Sequence, residues 1–113
     1  MGKQNNNIIT TLGTGNEEVQ LNYGDLRKAV LVLRAVNHNL RQQIIDLLDE
    51  NGKMNVTDIY VKLRLEQSVA SQHLAILRKA GVVITVREGK FIHYSLNYNR
   101  LEQINELVED LAK

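Results

Sequence analysis

The feature that most constrains this chain is a change of hydrophobic period at Gly81. Before it, Val69, Ala70, Leu74, Leu77 and Ala80 recur at helical spacing. After it, Val82 to Arg87 is rich in β-branched residues and Phe91 to Leu96 alternates, with Glu88-Gly89 supplying a reverse turn. A helix that stops at a glycine and hands over to a short hairpin needs one compact core against which both can lie. Upstream, Thr57 is placed to cap a helix with Ile59, Tyr60 and Leu63 on its buried side, and Leu65 to Gln67 leaves room for only a tight connection.

The rest of the chain reads in the same way. Leu26, Ala29, Val30, Leu33 and Val36 form a helical stripe starting near Asp25, which can cap or complement the helix N-terminus; Leu31 and Val32 add apolar surface outside the stripe, so this helix needs more than one partner. Asn37, His38 and Asn39 interrupt the pattern. Leu40, Ile44, Ile45, Leu47 and Leu48 then mark a second helix that ends at Asn51-Gly52. Lys53 to Val56 is an extended link. Leu101, Ile104, Leu107, Val108 and Leu111 form the stripe of a last helix whose other side carries Glu102, Glu106, Glu109 and Asp110. Residues 1–20, with Asn5 to Asn7, Gly13 and Gly15, lack a period and are expected to be a disordered tail ahead of one domain spanning 21–113.

Composition closes several routes. Among 113 residues there is no cysteine, which excludes a disulfide framework, a thiolate metal site and a cysteine nucleophile. The longest apolar run, Ala29 to Leu33, is too short to span a membrane. Gly13-Thr14-Gly15 precedes no strand–helix unit and lacks a following lysine, so it is no phosphate loop, and no nucleophile–base arrangement is evident. The expectation is therefore not an enzyme, and no cofactor. The net charge of +1 hides an asymmetry: residues 57–90 hold six cations against three anions, whereas 91–113 hold two against four. A basic block of this kind suits a polyanion.

Two short helices joined by a tight turn are a helix-turn-helix candidate, and the second helix of such a pair usually enters the DNA major groove N-terminus first. Here that tip carries Gln67, Ser68, Ser71 and Gln72, groups that both donate and accept; glutamine can pair bidentately with adenine. Arg87 and Lys90 flank the hairpin turn, where a narrow cationic tip can reach phosphates or a minor groove. The expected fold is mostly α with a small β-hairpin, a winged helix-turn-helix in the order α-α-α-α-β-β-α.

The stretch LEQSVASQHLAILRKAGVVITVREGKFIHYSL, Leu65 to Leu96, resembles the ArsR/SmtB group of bacterial winged-helix repressors, through Gln67-Ser68, Ser71, His73-Leu74, Leu77-Arg78, Ala80-Gly81, Arg87-Glu88-Gly89 and Tyr94-Ser95-Leu96. Leu31 to Leu48 resembles the first two helices of that group, with Arg41 at its usual arginine. The resemblance covers about residues 25–113. It implies a homodimeric repressor of double-stranded DNA in the bacterial cytoplasm, associated with the nucleoid. Leu26, Val30 and Leu33 of the first helix and Leu101, Ile104, Leu107, Val108 and Leu111 of the last would form the dimer interface. It also implies that Lys62 and Arg64 approach phosphates and that His73 lies near the DNA face, buttressing the helix. Two-fold symmetry predicts an inverted-repeat operator.

The chain departs from the group at its sensor sites. Asn55-Val56-Thr57 stands where a Cys-x-Cys type motif would be, and Tyr98, Arg100 and Leu111 stand at positions of a second metal site. No metal site is expected, His38, His73 and His93 have no ligand spacing, and no effector is identified. His93 reads as a partly buried structural histidine sharing a strand face with Phe91 and Ser95. The competing reading is a winged helix used as a protein-interaction module. That would call for apolar or aromatic anchors at the tip, where serine and glutamine stand instead.

Overall fold

A computed structural model describes residues 9–113; the asparagine cluster of the expected tail lies outside the described residues. The chain divides into two compact units, one ending at Val32 and the other running from Leu33 to Lys113, with one helix passing through the division.

The first unit contains structure where the sequence suggests none. Strands β1 (Ile9–Leu12) and β2 (Val19–Asn22) pair antiparallel, with Ile9 opposite Asn22 and Leu12 opposite Val19. This register puts Thr10, Leu12, Val19 and Leu21 on one face and Ile9, Thr11, Gln20 and Asn22 on the other. The connection makes a single 3-10 turn at Gly15–Glu17. Gly13 at φ +81° permits that bend, because a Cβ there would run into the Glu17 carbonyl. Each strand has only four residues, and the pattern becomes visible only when the two are laid side by side. Helix α1 (Tyr23–Val36) follows directly. Its N-terminus is held by Asn22, whose Oδ1 accepts from Asp25 N at 3.0 Å; Asp25 therefore complements the first turn and does not cap it.

The second unit begins with the end of α1 and continues through α2 (Asn39–Asn51), β3 (Met54–Asn55), α3 (Val56–Leu63), α4 (Gln67–Lys79), β4 (Val83–Glu88), β5 (Phe91–Leu96) and α5 (Tyr98–Ala112). The link at 53–56 is more than a spacer. β3 pairs with β5, Met54 opposite Tyr94 and Asn55 opposite His93, giving a three-stranded sheet in the order β3-β5-β4.

The cap of α3 also differs from expectation. Asn55 Oδ1 accepts from Asp58 N at 2.9 Å, so Asn55 is the cap and Thr57 sits inside the first turn. Pairing with β5 holds Asn55 extended, and an extended residue directly before the first helical one has the geometry a cap needs. Likewise the wing turn falls on Gly89-Lys90, since Glu88 still pairs with Phe91. Gly89 takes φ +63°, which a two-residue hairpin turn requires.

Ile44, Leu48, Ile59, Leu74, Leu77 and Val82 are the largest fully buried side chains, so α2, α3, α4 and the entry to β4 converge on one aliphatic core. Buried Met54, Val83 and Leu96 extend that core onto the sheet. The corner after α4 is closed twice over. Gly81 N donates to Arg78 O at 3.0 Å and Val82 N to Leu77 O at 2.9 Å, a left-handed C-terminal stop with Gly81 at φ +78°. Asn97, the cap of α5, then reaches back, donating from its backbone N to Val82 O at 2.8 Å and from Nδ2 to Gly81 O at 3.0 Å.

Candidate nucleic-acid interface

The helix-turn-helix is formed by α3, the turn Arg64-Leu65-Glu66, and α4. The turn works because Arg64 adopts the left-handed conformation, φ 57°, ψ 48°, letting Leu65 N bond to Tyr60 O at 2.9 Å. Among the described residues it is the only non-glycine with positive φ. An exposed arginine therefore sits directly after α3, at the start of the turn, where glycine would be less strained.

Helix α4 has two clearly separate faces. Ala70, Leu74 and Leu77 are buried, whereas Gln67, Ser68, Ser71 and Gln72 are all exposed. Their positions repeat at one and four residues, which places them on one side of the first two turns. No side chain caps the N-terminus of α4: the preceding residue, Glu66, offers only its carbonyl, to Val69 N and Ala70 N at 3.1 Å each. Among the described residues the amides of Gln67 and Ser68 have no such partner and stand beside the hydrogen-bonding side chains, at the positive end of the helix dipole.

His73 lies half-buried between the two faces. Its Nδ1 is 3.1 Å from Arg41 Nη1, and its ring centroid is 4.9 Å from that of His38. Burial, then the Arg41 charge, then His38 hold its pKa below the ordinary histidine value of 6.5. His73, expected to buttress the helix, is thus in contact with Arg41. From sequence Arg41 stands out only as a shared arginine; nothing local to residue 41 marks a contact thirty-two residues away.

On the wing, Arg87 and Lys90 are both exposed but project differently. Arg87 opposes Ile92 and continues the row Val83, Thr85 that faces the core. Lys90 is in the turn, its ammonium 5.4 Å from the centre of the Phe91 ring. The other wing face carries a cluster that sequence reading passes over. Lys53 Nζ donates to Glu88 Oε1 at 2.6 Å, and His93 Nε2 lies 3.5 Å from the same oxygen. Hydrogen bonding and charge from Lys53 hold the Glu88 carboxyl below its usual range. His93 is the expected partly buried histidine, its ring 6.4 Å from that of Phe91.

Lys62 and Arg64 are exposed, but they do not share one place. Lys62 lines a shallow groove with Asn51, Lys53, Asp58 and Val61, whereas Arg64 is not part of that groove and opens the turn between α3 and α4. Of the apolar stripes, Val30, Leu33, Leu101 and Ile104 are half-buried, and Leu26, Leu107, Val108 and Leu111 are exposed; no residue of α5 is buried. Among the described residues no group of three or more His, Asp or Glu side chains is placed to hold a metal, and no helix is long and apolar enough to cross a membrane.

Residues 38–85, from the α2 cap into the first wing strand, match the family model for bacterial regulatory proteins of the arsR family. An uncharacterized HTH-type transcriptional regulator of Methanocaldococcus jannaschii is 38% identical over 84 residues, covering 74% of this chain and 94% of its own. The transcriptional repressor SdpR of Bacillus subtilis is 38% identical over 83 residues, 73% of this chain and 91% of its own. The crystal structure of the repressor PagR of Bacillus anthracis superposes with a TM-score of 0.62 at 35% identity, over 76% of this chain and 98% of that one. Reduced HlyU of Vibrio cholerae gives 0.60 at 36%, over 79% and 93%. The family match includes all of α3 and the two-faced α4, and the chain belongs to the arsR family of bacterial regulatory proteins, as a winged helix-turn-helix, DNA-binding transcriptional regulator.

Proposed function

We propose that the chain is a repressor that binds an inverted-repeat operator in double-stranded DNA as a homodimer, in the bacterial cytoplasm at the nucleoid, and that it is not an enzyme. The observation that carries this is the exposed row Gln67, Ser68, Ser71 and Gln72 opposite buried Ala70, Leu74 and Leu77, on a helix with an uncapped N-terminus. In this reading these four side chains and His73 face the major groove, Arg64 and Lys62 meet phosphates, and Arg87 and Lys90 act from the wing. The uncovered stripes of α1 and α5 support a second copy as the partner, through Leu26, Val30, Leu33, Leu101, Ile104, Leu107, Val108 and Leu111. Repression is supported by the relatives SdpR and PagR, both named repressors.

The test is selection of bound duplexes from a random pool, followed by salt-titrated affinity for the selected site. Arg87→Ala should weaken binding to every sequence and lower the salt slope by roughly 0.9 if one phosphate contact is lost. Gln72→Ala should cost about 1–3 kcal/mol at one base position and relax specificity there. Unchanged operator affinity in both variants would overturn the assignment. A pool that yields no duplex, with retention of a protein partner instead, would establish the interaction-module reading.

A further inference from the structure

We propose that Arg41 is a positioning residue for DNA recognition: it fixes His73 so that the imidazole presents Nε2–H as a donor to an acceptor oxygen or nitrogen on DNA. This rests on α4 being the reading helix.

The geometry begins at the end of α1. Arg41 Nε donates to Ala35 O at 2.6 Å and Nη2 to Arg34 O at 3.2 Å, while the neighbouring Gln42 Nε2 donates to Val36 O at 2.9 Å. Three carbonyls that the end of α1 leaves without helical partners are thereby satisfied by the first turn of α2. This holds the guanidinium plane in place. Its remaining contact, Nη1 to His73 Nδ1 at 3.1 Å, then defines the imidazole. Arginine can only donate, so Nδ1 must accept, and the ring is neutral with its hydrogen on Nε2. Among the described residues Nε2 of His73 has no hydrogen-bond partner. It belongs to the residue directly after Gln72, at the border of the exposed row. The chain thus builds a donor whose other nitrogen is occupied and whose own hydrogen is unused.

Protonation opposes this arrangement. A hydrogen on Nδ1 would meet the Nη1 donor across 3.1 Å, cation against cation. The charged and titratable groups that bear on His73 are Arg41 and His38, both on the α2 side. His38 is itself occupied, its Nδ1 accepting from Leu40 N at 3.1 Å as the α2 cap. Among the described residues no carboxylate makes an ion pair with Arg41, His38 or His73. The protonated ring must turn away from Arg41, which carries Nε2 off its line.

The experiment uses the full chain and its selected operator duplex, with affinity followed from about pH 5 to 8 at constant ionic strength, beside an NMR titration of the histidines in the free protein. For the wild type, acidification should weaken operator binding by about tenfold, the scale of one lost hydrogen bond. The midpoint should match the His73 titration, below 6.5. Arg41→Gln should bind less tightly at neutral pH and move the His73 midpoint up toward 6.5. His73→Gln removes the titrating imidazole, so whatever its affinity at neutral pH, its profile from about pH 5 to 8 should be flat. Affinity that rises on acidification, as an extra cation alone would cause, overturns the proposal. So does a wild-type transition that survives His73→Gln, a comparison that does not require Arg41→Gln to fold. Tight binding with a flat profile sinks this proposal alone; absence of wild-type binding to any duplex sinks the DNA reading and the proposal together.

Discussion

The Lys53 ammonium lies 2.6 Å from the Glu88 carboxylate, joining the link before α3 to the last residue of β4. The pair spans thirty-five residues and fixes the wing just before its turn. Both side chains are about half exposed, 56% and 49%, so screening limits what the pair adds to overall stability. Its consequence is local, on where Arg87 and Lys90 stand. Glu88→Gln should leave the thermal midpoint near wild type and weaken operator binding, with the difference vanishing at high salt; calorimetry beside binding at two salt concentrations checks this. The pH sign follows from the lowered Glu88 pKa. The folded form favours the carboxylate, so the contribution is complete above the ordinary value of 4.5 and is lost as pH falls through the lower folded value.

Arg64 holds a left-handed backbone that costs a non-glycine residue roughly 1–2 kcal/mol. Arg64→Gly removes that strain but loosens the unfolded chain, so folding stability should rise by about 1 kcal/mol or stay level. Operator affinity should fall at the same time, because the cation in the turn between α3 and α4 is gone. Urea unfolding and a salt titration separate the two effects; a clear loss of stability would contradict the account of the turn.

The two residues that compete as caps of α3 can be distinguished. Asn55→Ala removes the bond to Asp58 N and should cost about 1 kcal/mol, whereas Thr57→Ala should cost a few tenths at most. Equal losses in chemical denaturation would return the cap to Thr57.

Gly81 is constrained by both its own backbone and a neighbour. At φ +78°, an added Cβ would also lie 3.0 Å from Arg100 Nε. Gly81→Ala should destabilise by about 1–2 kcal/mol. In an Arg100→Ala background part of that loss should disappear and the backbone share remain, which a double-mutant cycle reads directly.

Leu74 is fully buried directly after His73. Leu74→Ala should cost about 2–5 kcal/mol, as buried leucine truncations do. Operator affinity per folded molecule should fall too, since the face it anchors is the reverse of the reading row. A loss below about 1 kcal/mol would mean that α4 is not held by this core.

The helices α1, α2, α4 and α5 and the wing are legible because each announces itself locally, by a stripe at helical spacing, by alternation, or by a glycine stop such as Gly52 or Gly81. The reading row is legible for the same reason: Gln67, Ser68, Ser71 and Gln72 lie within six residues of one another, opposite an obvious apolar face. β1, β2 and β3 leave too few residues for a period to show. β1 and β2 exist only through each other, and β3 through a partner distant along the chain, Met54 opposite Tyr94.

The sequence by itself determined the order of the five helices and the wing, the family and the side of α4 that is exposed, because burial pattern and turn chemistry are properties of neighbouring residues. Tertiary structure alone decided which side chains support that face. Arg41 reaches His73, Lys53 reaches Glu88 and Asn97 reaches Gly81 across separations of 32, 35 and 16 residues. Such pairs form only after the core has brought their elements together, and no local pattern at either partner encodes the other.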